Sequence, residues 1–128
     1  MKVIGIGIDL VEIARIGASM ARHGERFLAR LFTDEERRYC ESMRCPERCF
    51  AARFAAKEAV SKAFGTGIGA QLGWLDMEVR RLASGAPHLV LSGTGAETAE
   101  RLGITEVKLS LSHSETAAVA NAVALALP

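Results

Sequence analysis

The chain has 128 residues, with 16 Lys or Arg, 15 Asp or Glu and 49% apolar residues. That length suits one domain spanning residues 1–128, and such a chain buries about two-thirds of its unfolded surface without help from disulfides or a structural metal. The near balance of charge excludes a disordered tail or a generally cationic nucleic-acid binder, and a single Trp and single Tyr leave little to stack bases.

The apolar start MKVIGIGIDLVEI is interrupted by Asp9 and Glu12 before a signal-peptide core forms. The apolar run from Ala117 to Leu127 is far shorter than the roughly 20 residues of a membrane span. A soluble, cytoplasmic protein with no membrane partner is expected. Cys40, Cys45 and Cys49 are odd in number and share one stretch. Their spacing lacks the paired Cys-x2-Cys knuckles of a zinc site, so reduced, partly buried thiols are predicted.

In chain order, a two-residue period from Val3 to Ile13 predicts a strand with Ile4, Ile6, Ile8 and Leu10 on one face and Gly5, Gly7 and Asp9 on the other. A basic helix follows from about Ala14 to His23, with Gly24 as a break. Thr33 with Glu36 three residues on forms a capping box for a charged helix to about Met43. Pro46 suits the first turn of a longer helix to Phe64, which Gly65 stops, and the glycine-rich 65–69 stretch forms a loop. Trp74 to Leu82 and His88 to Leu91 read as strands around a Ser84–Pro87 turn. A helix from Thr94 to Leu102 and strands from Val107 to Ser112 and Ala117 to Leu125 complete the chain. The order β-α-α-α-β-β-α-β-β predicts an α+β domain.

Three segments carry candidate chemistry. On the first strand, Gly5 and Gly7 leave a bare face beside Asp9, which suits either a ligand or close packing on a helix with Asp9 capping a turn. A dinucleotide fingerprint is excluded, because the third glycine is missing at the required spacing. On the Pro46–Phe64 helix, Arg53, Lys57, Glu58, Ser61 and Lys62 fall on one half of the cylinder. Ala51, Ala55, Ala56, Ala59 and Ala63 lie mainly on the other, which suits close packing on a sheet. Phe50, Phe54 and Phe64 interleave with the charges, suggesting a half-covered surface such as a cleft or subunit interface. The third segment ends a strand in Ser112, His113, Ser114 and Glu115, but adjacent strand residues point apart and no nucleophile elbow is present, so a hydrolase triad is not expected.

Gly5-Ile6-Gly7-Ile8-Asp9 with Arg15-Ile16, then Phe54-Ala55-Ala56-Lys57-Glu58-Ala59-Val60-Ser61-Lys62-Ala63-Phe64-Gly65-Thr66-Gly67, then Leu109-Ser110-Leu111-Ser112-His113 resemble, in that order, the three motifs of the holo-acyl-carrier-protein synthases. Gly85-Ala86-Pro87 ahead of Leu89 resembles that family's second hairpin. The resemblance spans nearly the whole chain and implies a 4'-phosphopantetheinyl transferase-like fold. It also implies transfer of 4'-phosphopantetheine from coenzyme A to a serine of an acyl carrier protein, in support of fatty acid biosynthesis.

By the same resemblance, Asp9 and Glu58 would bind Mg²⁺ with pyrophosphate oxygens, a choice consistent with that ion's preference for a few carboxylates plus phosphate. Lys62 would neutralise the pyrophosphate, and a water oriented by Asp9 or Glu58 would accept the carrier serine's proton. Arg53, Lys57, Ser61, Gly65, Gly67 and His113 would hold coenzyme A. Similar enzymes are homotrimers with sites between subunits. Arg15, Arg22 and Arg26, extended by Arg30, would dock the acidic carrier protein. The rival reading is a non-catalytic nucleotide-binding module of the same fold, and retention of both carboxylates and Lys62 argues against it.

Overall fold

Two glycines decide how the first strand packs. A computed structural model describes all 128 residues, and in it β1 (Lys2–Glu12) runs antiparallel to β5 (Ala117–Ala126), which runs antiparallel to β4 (Glu106–His113). The long helix α4 (Pro46–Phe64) lies across β1 and β5. A Cβ at Gly5 would sit 2.0 Å from the Ala63 carbonyl oxygen, and one at Gly7 1.9 Å from that of Ala59. Only glycine lets the strand and helix approach so closely. Ala118, Ala120, Ala122 and Ala124 of β5 complete this inner face, almost fully buried against the alanines of α4. The predicted alanine face is therefore found where expected, and tight helix packing explains the bare glycine face.

The charged half of α4 differs from expectation. Phe50 and Phe64 are buried in the core rather than half-covered, and only Phe54 stays at the surface, stacked on Trp74 with ring centroids 5.1 Å apart. The outer face of β1 is instead the apolar surface left open: Ile6, Ile8 and Leu10 are 70, 59 and 64% exposed.

The remaining helices stand in the expected order with one addition. After α1 (Ile13–His23), a positive φ at Gly24 turns the chain into a short helix, α2 (Glu25–Leu31), which buries Leu28 and Leu31. The predicted capping box opens α3 (Asp34–Glu41): Glu36 N donates to Thr33 Oγ1 at 3.2 Å and Thr33 N to Glu36 Oε1 at 2.9 Å. The stretch expected as a strand from Trp74 begins as a 3₁₀ turn, because Asp76 Oδ2 accepts from Gly73 N at 2.8 Å and Gly95 N at 3.0 Å and folds the chain back. The hairpin of β2 (Met77–Arg81) and β3 (Pro87–Leu91) follows, then α5 (Gly93–Leu102). No helix is long and apolar enough to cross a membrane.

The cysteines also correct the sequence reading. Cys40 and Cys49 form a disulfide and Cys45 is free. The turn between α3 and α4 brings the two Cα atoms to 5.3 Å, a separation that linear spacing does not reveal.

Candidate active site

The glycine face of β1 continues into Asp9, whose carboxylate lies beside α4. Lys62, in the last turn of α4, reaches it: Nζ donates to Asp9 Oδ1 at 3.2 Å and to the Ile8 carbonyl at 2.9 Å. Glu58 stands one helical turn earlier. Burial first, then the charge of Asp9, pushes its carboxyl above the usual glutamate range, with Lys62 opposing. Two carboxylates close enough to repel, beside one cation, form a site short of positive charge. Asp9 and Glu58 line a pocket of about 300 Å³ with Arg15, Phe27 and Phe54. Immediately after Lys62 the chain turns through Gly65 and Gly67, whose positive φ values explain glycine there and whose Cα positions face open space.

A second pocket, of about 460 Å³, gathers Arg44, Arg48, Arg53, Arg80, Arg81 and His113 with Tyr39, Cys45 and Cys49. It shares no lining residue with the first. Arg53 is 7% exposed and packs its guanidinium 4.7 Å from the Tyr39 ring centroid. Its Nη1 donates to Cys49 Sγ at 3.3 Å while its Nε has no partner. Burial pulls its pKa down and Glu36 opposes this. A buried guanidinium with an unused donor, surrounded by further arginines, is suited to a phosphate-bearing ligand.

A model of the 4'-phosphopantetheinyl transferase superfamily matches residues 5–122. The chain belongs to that superfamily. Within it, a holo-[acyl-carrier-protein] synthase of Koribacter versatilis is 47% identical over 121 residues, 94% of this chain and 97% of the relative. The crystal structure of the Neisseria meningitidis holo-[acyl-carrier-protein] synthase superposes with a TM-score of 0.92 at 34% identity, covering 97% of this chain and 99% of that one. That of Helicobacter pylori, in complex with coenzyme A, gives 0.84 at 35% identity over 94 and 99%.

Set against this transferase family, the expected site residues divide into four groups. Asp9, Glu58 and Lys62 converge. Arg53 and His113, 60 positions apart in sequence, meet in the second pocket.

Lys57 and Ser61, expected with the cofactor-binding residues, line neither pocket. Lys57 is fully buried and its Nζ donates to Glu36 Oε1 at 2.6 Å, the Leu31 carbonyl at 2.7 Å and the Trp74 carbonyl at 3.1 Å. Desolvation lowers its pKa and Glu36 opposes this. With all three ammonium donors engaged inside the protein, it ties α4 to α2, α3 and the turn before β2. Ser61 is 1% exposed and donates to the Glu58 carbonyl at 2.7 Å, an internal helix bond that uses its one donor.

Arg15, Arg22, Arg26 and Arg30 are exposed. Arg26 and Arg30 flank Phe27 and Trp74 in a shallow pocket, and Phe27 also lines the Asp9 pocket, so it joins the two.

Sequence reasoning missed Tyr39, Arg44, Arg48, Arg80 and Arg81. Arg44, in the turn before α4, and Arg48, in its first turn, lie within ten residues of Arg53, a clustering of cations that could have suggested those two. The pairing of Tyr39 with β2 depends on tertiary contact alone: Arg81 Nη1 donates to its hydroxyl at 3.1 Å across 42 residues.

Proposed function

We propose that this chain is a magnesium-dependent holo-acyl-carrier-protein synthase, transferring 4'-phosphopantetheine from coenzyme A to a serine of an apo acyl carrier protein. The observation that carries the reading is the convergence of Asp9 of β1 with Glu58 and Lys62 of α4. Asp9 and Glu58 fit a magnesium ion: they are oxygen ligands with an open side toward a pocket, and a dication relieves both the burial and the repulsion from Asp9 that raise Glu58's pKa. When bound there, the ion neutralises charge on the pyrophosphate and the transferred phosphoryl group.

The chain's own residues do the rest. Lys62 places an ammonium beside the pair and stabilises the pyrophosphate oxygens. The carrier serine's Oγ attacks the phosphorus that bears pantetheine, and the bond from that phosphorus to the oxygen of the adenosine 5'-phosphate breaks. The hydroxyl proton passes to a water held by Asp9 or Glu58, and adenosine 3',5'-bisphosphate departs with Lys62 beside its new phosphate charge. Arg53 and His113, with the arginines around them, hold the adenosine phosphates. Arg15, Arg22, Arg26 and Arg30 dock the carrier, with Phe27 as an apolar contact among them.

The active unit is a homotrimer with each site shared between neighbours. The exposed Ile6, Ile8 and Leu10 stripe supports this, as does the division of carboxylates and arginines between two pockets with no common residue. Incubating the chain with coenzyme A, Mg²⁺ and apo carrier protein and weighing the carrier tests the activity. A gain of one phosphopantetheine is expected, and an unchanged carrier mass with fully folded protein would overturn the reading.

A further inference from the structure

The disulfide lies where a structural staple alone has no need to be. Cys40, in the last turn of α3, is fully buried, whereas Cys49, in the first turns of α4, is half-buried and opens into the arginine-lined pocket. Both ends of the disulfide adjoin the same guanidinium, Cys49 directly and Cys40 through its neighbour Tyr39. Cys49 Sγ accepts from Arg53 Nη1 at 3.3 Å, and Tyr39, the neighbour of Cys40, packs its ring 4.7 Å from Arg53 while its hydroxyl accepts from Arg81 at 3.1 Å. The covalent link therefore holds both sides of the pocket's most buried cation.

We propose that Cys40 and Cys49 are a reversible dithiol–disulfide site whose redox state sets the pocket's affinity for a nucleotide bearing phosphates, a proposal that rests on the adenosine-binding role assigned to this pocket above. The reductant is a dithiol, small or protein-borne. Its thiolate attacks the accessible Cys49 sulfur, the Cys40–Cys49 bond breaks, and the electron pair leaves on Cys40, which takes a proton. The reductant's second thiol then displaces Cys49 and closes the reductant's own disulfide, and Cys49 takes the second proton. Two electrons and two protons have moved to the protein. Oxidation by a small disulfide is the reverse. In the dithiol form, Tyr39 and the end of α3 lose their tether to α4, and the fork of Arg53, Tyr39 and Arg81 is no longer fixed before the ligand arrives. Binding must then supply that ordering, which weakens it.

Ligand and bond are coupled in both directions. A nucleotide seated over Cys49 covers the sulfur that a reductant must reach, so occupancy protects the disulfide, and affinity and redox equilibrium shift by the same factor.

The test uses the whole chain, oxidised with a small disulfide or reduced with dithiothreitol, and counts thiols by mass after alkylation. One adduct is expected in the oxidised form, at Cys45, and three in the reduced form. Calorimetry with adenosine 3',5'-bisphosphate should show at least about fivefold weaker binding to the reduced form, and the same ligand should slow reduction by dithiothreitol. In the transfer assay the change should fall on the coenzyme A KM with kcat unmoved, because Asp9 and Glu58 line the other pocket and Lys62 is bonded to Asp9. Cys49→Ser should behave as the reduced form in either buffer, and Cys45→Ser should keep the redox dependence. Three adducts after oxidation, or equal affinity in both states, would overturn the proposal. Binding to neither state would instead remove the nucleotide role of the pocket, and the coupling with it.

Discussion

The Glu58 carboxylate is held above the usual glutamate range, chiefly by burial and then by Asp9, so its ionised form is disfavoured in the folded chain relative to the unfolded one. A raised folded-state pKa means that stability is lost as pH rises from the unfolded value to the folded one and the whole cost is present above it, while below the unfolded value both states are protonated and the cost vanishes. Glu58→Gln should therefore raise Tm at neutral pH, and the gain should shrink as pH falls toward the ordinary glutamate range and be gone below it. The same variant should lose transfer activity by about a hundredfold or more, the scale expected for a metal ligand. Activity within about threefold of the parent would remove Glu58 from that role. Lys57 is the opposite case, a charge the fold requires. Lys57→Met leaves Glu36 buried at 1% exposure without its cation, and a loss of about 3–5 kcal/mol is expected in urea unfolding. A loss below about 1 kcal/mol would mean that the three bonds to Nζ matter little.

At the scale of the element, α4 organises everything around it. Its alanines meet β1 and β5, its Lys57 reaches α2 and α3, its first turns place Cys49 in the arginine-lined pocket and its last turn places Lys62 beside Asp9. The helices α1 and α2 have another task, presenting Arg15, Arg22, Arg26 and Arg30 outward. Rim charges change encounter rate and salt dependence, whereas groups at the reacting centre change turnover. Arg15→Glu should thus raise the carrier KM several-fold and flatten its dependence on salt, leaving the coenzyme A KM unchanged. Steady-state kinetics at two ionic strengths would check this. A raised coenzyme A KM with carrier affinity intact would instead assign Arg15 to the nucleotide phosphates.

For the whole molecule, the open stripe on β1 is the largest feature left unexplained by the monomer, and β1 is also an edge strand of its sheet. An apolar sheet face of this kind is covered in a stable soluble protein. The subunit-interface expectation began from Phe50, Phe54 and Phe64, two of which the fold buries in its core, and Ile6, Ile8 and Leu10 now carry it. Ile8→Asp places a charge in the middle of the stripe without touching either pocket. Sedimentation should give a trimer for the parent and a folded monomer for Ile8→Asp, with transfer activity lost alongside assembly. A parent that sediments as a fully active monomer would end the shared-site reading.

What the sequence by itself determined are features that local chemistry writes directly into residue order. The Thr33–Glu36 capping box, Pro46 at a helix start, Gly65 at its end and the alternation of β1 each depend on neighbours within a few positions, and all are found. The Asp9, Glu58 and Lys62 set was legible through its motif, and the glycines beside it foretold a close approach. Only tertiary structure decided that Lys57 is an internal tie and not a surface cation. Lys57 and Lys62 differ by about one turn and a half of helix, and nothing local distinguishes a lysine facing Leu31, Glu36 and Trp74 from one facing Asp9. The same holds for Arg53, turned to His113 rather than Glu58, for the phenylalanines drawn into the core, and for Cys40 and Cys49, joined by the turn between two helices. Each outcome is fixed by partners that are remote in sequence, because side-chain burial depends on what the fold brings alongside and not on the residue's own period.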